Sequence, residues 1–191
     1  VLLYTSRKTI MDIDLVNQAI VEQPLSAFET SLANAENSIG AGWNGQSWTP
    51  HKSLEGGTDT LAFGHKLTPE EAKTGKVKIG GVDVDVSQGI SMSQAKTLLR
   101  QDISNAREQL KKEDKNFSKL PKKYQDVMIN IKFNVGNKSK EFKKLRKAMQ
   151  ENDDLAVRRE MVTTYQPIKG DRIRLTERAT DIANAVGLKS N

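Results

Sequence analysis

Residues 77–106 read VKIGGVDVDVSQGISMSQAKTLLRQDISNA, and the spacing of their apolar residues changes part-way along the stretch. The first part, 77–86, alternates apolar and polar residues around a Gly-Gly pair, which predicts a two-stranded hairpin. The second part has apolar residues at helical spacing behind Ser91 or Ser93, either of which can act as the N-cap. The stretch therefore predicts a hairpin followed by a long helix that reaches about Asp114.

Helices are predicted on both sides of a single β-containing block at about 55–90, which also includes a short strand predicted over 58–65. Proline, glycine and capping residues separate the helical patterns in the rest of the chain. The other predicted helices are 10–22, 25–37, 121–134, 139–151, 153–165 and 171–186. This order of elements predicts an α+β fold that is mostly α.

The predicted elements divide the chain into three segments. An N-terminal helical extension occupies 1–30, a lobe with a small β-sheet occupies 31–90, and a helical lobe occupies 91–191. The long helix joins the two lobes, so that 31–191 forms one domain. We expect an active-site cleft between the lobes, because substrates commonly bind between two such parts of a protein.

The composition limits the function classes. The 191 residues include no cysteine, which excludes disulfides, thiolate metal sites and cysteine nucleophiles. The net charge of +6 fits either a solvated surface or a polyanionic partner such as nucleic acid, anionic lipid or cell wall. The basic run at 138–146 also has apolar residues at helical spacing, and no nucleic-acid-binding signature is present, so we expect no nucleic-acid partner. No segment approaches the roughly 18 apolar residues of a membrane span.

The two histidines do not form a recognisable metal motif. His51 and His65 flank a turn, and Glu55 and Asp59 lie between them, but no spacing typical of a zinc site occurs. Nucleotide-binding glycine motifs and the G-x-S-x-G serine motif are absent. We expect neither a metal nor another cofactor.

The remaining candidates for catalysis are carboxylates. Glu36 ends the predicted helix 25–37, with small apolar residues before it and a loop containing both tryptophans after it. It is either a solvated helix-end glutamate or an acid in partly apolar surroundings that donates a proton near neutral pH. Glu55 and Asp59 lie in a polar stretch that keeps a carboxylate ionised. Two carboxylates in different surroundings are what glycoside hydrolysis requires.

Several segments, in a fixed order, resemble one family. They are a helix ending at Glu36, a polar stretch with Thr60 and LAFGH at 61–65, ISMSQAKTLLRQDISNA at 90–106, MINIKFNVGN at 128–137 and LTERA at 175–179. In this order they resemble the phage-type lysozymes, the muramidases of tailed bacteriophages, over about residues 30–187. The resemblance implies a lysozyme-like fold. It also implies Glu36 as the general acid, Arg178 close to it, and Thr60 positioning water or an acetamido group.

The chain departs from the family before Thr60. An inserted loop, GWNGQSW, moves the aspartate position of the family onto Leu54 or Ser53, and neither residue is acidic. Glu55 is the nearest carboxylate and takes the role of base or electrostatic stabiliser. Asp59 is the alternative, although its displacement along the strand turns its side chain the other way. A third interpretation uses one glutamate as acid and then base, as in a lytic transglycosylase.

Further residues are candidates for contact with the sugar chain, and the resemblance implies two of them, Phe133 and Asn134. Gly64 allows a sugar to approach the backbone, and Phe133 and Asn134 line the cleft from the helical lobe. Trp43 and Trp48 either stack on sugar rings or anchor the inserted loop.

The resulting hypothesis is a muramidase that cleaves the β-1,4 bond between N-acetylmuramic acid and N-acetylglucosamine in bacterial peptidoglycan. Such an enzyme is made in the host cytoplasm and acts on the wall in the periplasm, during lysis or wall penetration by a phage. The alternatives are a lytic transglycosylase on the same bond, and an inactive wall-binding module of a phage virion or tail assembly.

Overall fold

The computed structural model describes residues 23–53, 57, 59–136, 142–164 and 172–190. The predicted helix 10–22 and Glu55 lie outside these residues. The described chain forms two compact units. Unit 1 contains 23–25 and 39–100, and unit 2 contains 26–38 and 101–190.

The strands of unit 1 form two small antiparallel sheets. The first has the order β1-β2-β3, and the second is a hairpin of β4 and β5. The strands are β1 His51–Lys52, β2 Asp59–Leu61, β3 His65–Lys66, β4 Lys76–Ile79 and β5 Val82–Asp85. The predicted hairpin at 77–86 is confirmed. Its turn residues Gly80 and Gly81 both have positive φ, 60° and 87°, as a type I′ turn requires.

The single strand predicted over 58–65 is wrong. The chain reverses direction between β2 and β3, and the two strands pair with each other. The reversal uses left-handed backbone at Ala62 and Gly64, with φ of 51° and 83°. Glycine adopts this conformation readily, whereas alanine does so only with strain. Because left-handed backbone cannot continue a strand, β2 ends at Leu61, just before Ala62.

A short helix, α2 Pro69–Thr74, precedes the hairpin and was not predicted. Its N-terminus is a capping box: the Thr68 hydroxyl accepts a hydrogen bond from the Glu71 N–H, and the Glu71 carboxylate accepts one from the Thr68 N–H. Pro69 occupies the first turn, where its missing N–H costs nothing.

The core of unit 1 joins the inserted loop, the two sheets and the start of the long helix. Its buried residues are Trp48, Leu61, Ala62, Val77, Ile79, Val86, Ile90, Ala95 and Leu98. The backbone of Trp48 pairs with that of Ile90, each N–H donating to the other carbonyl at 2.8 Å. The loop is therefore fixed at its end by backbone pairing as well as by side-chain burial.

The predicted long helix is confirmed as α3 Met92–Glu113. Of the two candidate N-caps, Ser91 is the one used. Its hydroxyl accepts from the Gln94 N–H, and its own N–H donates to the Gln94 side chain at 2.8 Å. Residues 92–100 belong to unit 1 and 101–113 to unit 2.

Unit 2 is helical. Besides its part of α3 and a 3₁₀ turn at Phe117–Lys119, its helices are α1 Ala27–Glu36, α4 Lys122–Val135, α5 Lys143–Gln150, α6 Asp154–Thr164 and α7 Arg172–Ala185. These confirm the predicted helices, with ends that differ by a few residues. Helix α1 packs against α7 and buries Phe28 and Leu32. It therefore groups with the helices, although the predicted division placed residues from 31 onward in the β-containing lobe. The predicted segments 1–30, 31–90 and 91–191 stay a prediction of domain organisation.

Buried polar clusters tie the helices of unit 2 together. Asp154, at the start of α6, accepts hydrogen bonds from Lys123, from the Tyr124 hydroxyl and from the Lys189 N–H. Lys132 Nζ donates to Glu113 Oε1 at 2.7 Å. Each cluster joins residues far apart in sequence and satisfies charges that would otherwise be buried without a partner.

Candidate active site

Glu36 is held by an arginine from the last helix. It is the final residue of α1, and Arg178 lies in α7. Arg178 Nη2 donates to Glu36 Oε1 at 2.6 Å. The side chains of Glu36 and Arg178 are 18% and 10% exposed, so the pair is largely shielded but still reaches solvent.

Asn130 in α4 holds the other side of the arginine. Its side-chain oxygen accepts from Arg178 Nε at 3.2 Å and from Nη2 at 2.9 Å. Arg178 Nη1 donates to the Ala35 carbonyl at 3.5 Å. The guanidinium is thus fixed from two helices, and a planar group with several N–H donors is suited to this task.

Two features of the sequence build this cluster. Helix α1 buries Phe28 and Leu32 and packs against α7, and its last residue meets Arg178. Asn130 is fully buried in the apolar segment MINIKF of α4. No role was predicted for Asn130 from the sequence. A polar side chain at a buried position of an apolar helical pattern indicates a specific hydrogen-bonding role, and this pattern could have identified Asn130.

Thr60 in unit 1 is paired with a histidine. β1 and β2 place His51 directly opposite Thr60. The Thr60 hydroxyl lies 3.0 Å from His51 Nε2 and also donates to the His51 carbonyl at 3.3 Å. Thr60 is 5% exposed. From the sequence, His51 was a candidate only as a metal ligand, because the strand register that places it opposite Thr60 leaves no local pattern.

Of the two candidate second carboxylates, Asp59 is the one that lies within the described residues. Asp59 forms an ion pair with Lys52 at 2.8 Å, and its side chain is 38% exposed while that of its neighbour Thr60 is buried. The two side chains therefore leave β2 on opposite faces, as alternation along a strand predicts. Glu55 lies outside the described residues, and its role stays a prediction.

The aromatic residues of the inserted loop differ in exposure. Trp48 is buried, with its ring centroid 5.1 Å from those of both Trp43 and Phe63. This burial favours the interpretation that Trp48 anchors the loop. Trp43 is 36% exposed and keeps surface for a ligand. Gly64 lies in the turn after β2.

Phe133 and Asn134 lie near the end of α4, one turn beyond Asn130, and both are partly buried. Their predicted contacts with substrate, like those of Trp43 and Gly64, stay predictions.

The phage lysozyme family model matches residues 41–180. The chain belongs to the phage lysozyme family. The match covers most of the chain and includes Thr60, Asn130 and Arg178, while Glu36 lies just before it. No curated protein and no solved structure matches the chain. Membership of the phage lysozyme family makes the protein a peptidoglycan-degrading enzyme of phage type.

Two further observations bear on this member of the phage lysozyme family. In the part of the chain that the structure describes, no group of three or more His, Asp or Glu side chains is placed to hold a metal ion. None of the helices within the described residues combines the length and apolar content needed to cross a bilayer. Among the predicted site residues, the structure brings Glu36 together with Arg178 and Asn130 in unit 2, and Thr60 together with His51 in unit 1.

Proposed function

We propose that the protein is a muramidase that hydrolyses the β-1,4 bond between N-acetylmuramic acid and N-acetylglucosamine in peptidoglycan. The observation that carries the proposal is the Glu36 carboxylate held by Arg178 in a chain of the phage lysozyme family. A general acid must present its proton in a fixed direction, and the guanidinium fixes one carboxylate oxygen. Arg178 contacts Oε1, so we assign the transferred proton to Oε2.

In the proposed reaction, Glu36 protonates the glycosidic oxygen as the C1–O bond breaks, and water attacks C1. Glu55 acts as base or electrostatic stabiliser, and Thr60 holds the water. Trp43, Gly64, Phe133 and Asn134 contact the sugars. The net charge of +6 favours retention of the protein on an anionic wall. The proposed place of action is the bacterial wall, reached from the cytoplasm of the host in which the protein is made.

The test is mass spectrometry of the fragments released from purified peptidoglycan by the native chain, Glu36→Gln and Glu55→Gln. The proposal expects muropeptides with reducing ends from the native chain and loss of release in both variants. Circular dichroism establishes that each variant is folded. Full activity of Glu36→Gln would show that the acid has been misassigned.

A lytic transglycosylase is the second candidate, and the ion pair of Asp59 with Lys52 favours it. That pairing engages one of the two candidate second carboxylates, and a transglycosylase needs only Glu36 because a sugar hydroxyl replaces water. Anhydro-muropeptides that are lost in Glu36→Gln but retained in Glu55→Gln would establish this chemistry. A folded native chain that releases no fragment but sediments with peptidoglycan would instead be a wall-binding module.

A further inference from the structure

His51 and Thr60 make two contacts with each other across β1 and β2. The Thr60 hydroxyl lies 3.0 Å from His51 Nε2 and 3.3 Å from the His51 carbonyl oxygen. A hydroxyl has one hydrogen to donate and two lone pairs that accept. The carbonyl can only accept, so the ring nitrogen decides how the hydroxyl is oriented.

The other ring nitrogen identifies the tautomer. Among the described residues, His51 Nδ1 is buried and has no hydrogen-bond partner. A proton on Nδ1 would leave a buried N–H donor without an acceptor, which folded proteins rarely tolerate. A proton on Nε2 leaves no donor unpaired, since Thr60 Oγ1 accepts it. The Thr60 hydroxyl then donates to the His51 carbonyl, and the two residues satisfy each other.

The ring is held in this position by the inserted loop. A Cβ placed on Gly42 would lie 2.6 Å from His51 Nδ1 and 2.4 Å from the Thr49 carbonyl oxygen. The absence of a side chain at Gly42 therefore leaves the space that the imidazole occupies. The loop that separates this chain from the pattern of its family also supports the histidine that contacts Thr60.

We propose that His51 is the positioning residue of Thr60. Its Nε2–H donates to Thr60 Oγ1, the Thr60 hydroxyl donates to the His51 carbonyl, and the remaining lone pair of Oγ1 accepts an O–H of the attacking water. The water is thereby turned with its own lone pair towards C1. His51 exchanges no proton in the reaction, and the proton released by the water goes to the base. This inference rests on the proposed muramidase activity and adds the residue that orients its water-holding threonine.

The first test compares His51→Gln with His51→Ala in the full chain, using soluble glycan strands as substrate. Glutamine can place an N–H close to the position of Nε2 but does not titrate, whereas alanine removes the donor. We expect His51→Ala to lower kcat by about 10²-fold with little change in KM, because the water is misplaced. His51→Gln should recover most of that loss. The matched control is His65→Gln, at the other histidine of the same sheet, which should keep the native kcat.

A double-mutant cycle then asks whether His51 acts through Thr60. In a Thr60→Val background the hydroxyl is gone, so His51→Ala should lower kcat no further. Equal losses in His51→Gln and His51→Ala, or additive losses in the cycle, would overturn the positioning role.

Nitrogen-15 NMR of the native chain tests the arrangement without relying on activity. With two histidines in the chain, His65→Gln assigns the His51 signals. The proposal expects the Nε2–H tautomer at neutral pH, and the Nδ1–H tautomer would overturn it. A folded native chain that releases no muropeptide would refute the proposed function. An active native chain with equal losses in both His51 variants would refute only the role of His51.

Discussion

Arg178 Nη2 donates to Glu36 Oε1 at 2.6 Å, although 142 positions separate the two residues in sequence. The same guanidinium donates to Asn130, which is fully buried in a third helix. The arrangement links the direction of the Glu36 carboxylate to the packing of α1, α4 and α7. A change in this packing should therefore alter activity and stability together.

Arg178→Met should show this link. It removes the hydrogen bonds that Arg178 gives to Glu36 and Asn130, and we expect about 3 kcal/mol lower free energy of unfolding. Activity should fall by about 10²-fold, because the carboxylate loses its orientation. Urea unfolding and muropeptide release measure the two effects. Arg178→Lys should be nearly as damaging, since one ammonium cannot reproduce the geometry of the guanidinium.

Arg158→Met is the matched control for Arg178→Met. Arg158 also makes several hydrogen bonds, to Asn184 and to the carbonyls of Leu188 and Lys189. We expect it to lower stability while the folded protein keeps its activity. Equal losses of activity in the two variants would mean that Arg178 acts only through stability.

Asp154 should make stability depend on acid pH. Burial opposes its ionisation, but hydrogen bonds from Lys123, Tyr124 and the Lys189 N–H outweigh this and lower its pKa to about 2. The unfolded value is about 3.9, so the stabilisation is fully present above about pH 4 and is lost as pH falls towards 2. Allowing for partial screening at Lys123, it amounts to about 1–2 kcal/mol.

Asp154→Asn tests this effect. The difference in unfolding free energy between the native chain and the variant should shrink by that amount between about pH 5 and pH 2. Tyr124→Phe removes one of the hydrogen bonds to Asp154, so its difference in unfolding free energy from the native chain should change less with pH than that of Asp154→Asn. Parallel stability curves for the native chain and Asp154→Asn would contradict the assignment.

Gly42→Ala should be more harmful than Gly45→Ala in the same loop. Both glycines have positive φ, 82° and 95°, so both substitutions strain the backbone. At Gly42 the added Cβ also collides with the Thr49 carbonyl and with His51, while at Gly45 it meets no atom of the described residues within 4 Å beyond its chain neighbours. We expect Gly42→Ala to be at least about 1 kcal/mol less stable than Gly45→Ala in urea unfolding. Equal stabilities would mean that the His51 pocket has room to adjust.

The buried ion pair of Lys132 with Glu113 can be compared with an exposed ion pair, Lys111 with Glu108, on the helix α3 that carries Glu113. The Lys132 side chain is 5% exposed, and Lys132→Met should destabilise the protein by about 3 kcal/mol by leaving Glu113 without this partner. Lys111 and Glu108 also lie 2.7 Å apart but are exposed, so Lys111→Met should change stability by less than about 0.5 kcal/mol. Similar losses of stability for Lys132→Met and Lys111→Met in thermal unfolding would show that burial does not determine what each ion pair contributes.

The elements that the sequence predicted well are those defined by local patterns. The hairpin of β4 and β5 follows from alternation and a Gly-Gly turn, and α3 follows from helical spacing behind Ser91. Helix α2 was missed although its capping box was visible in the sequence, because six residues give too short a period to recognise. The strand at 58–65 was wrong because left-handed backbone at Ala62 is not a property of alanine itself.

The candidate site was predicted in part for the same reason. Glu36 and Arg178 were found through ordered motifs, and the structure places them in contact. The contacts of Asn130 and His51 depend on helix packing and strand register, which link distant residues and leave no local pattern. The burial of Trp48 likewise depends on residues outside the loop, since its ring packs against Phe63 as well as Trp43 and its backbone pairs with Ile90.

The pairing of Trp48 with Ile90 fixes the base of the inserted loop and leaves only its tip, Gly45 and Gln46, open to replacement. Asn44 closes its tip, with its side-chain oxygen accepting from the N–H groups of Gln46 and Ser47. When a surface loop is fixed at both its tip and its base, substitutions between these points have little effect on the rest of the fold. Gly45 and Gln46 are therefore a suitable position for grafting a reporter peptide or a fluorescent label, with Asn44, Ser47 and Trp48 left in place.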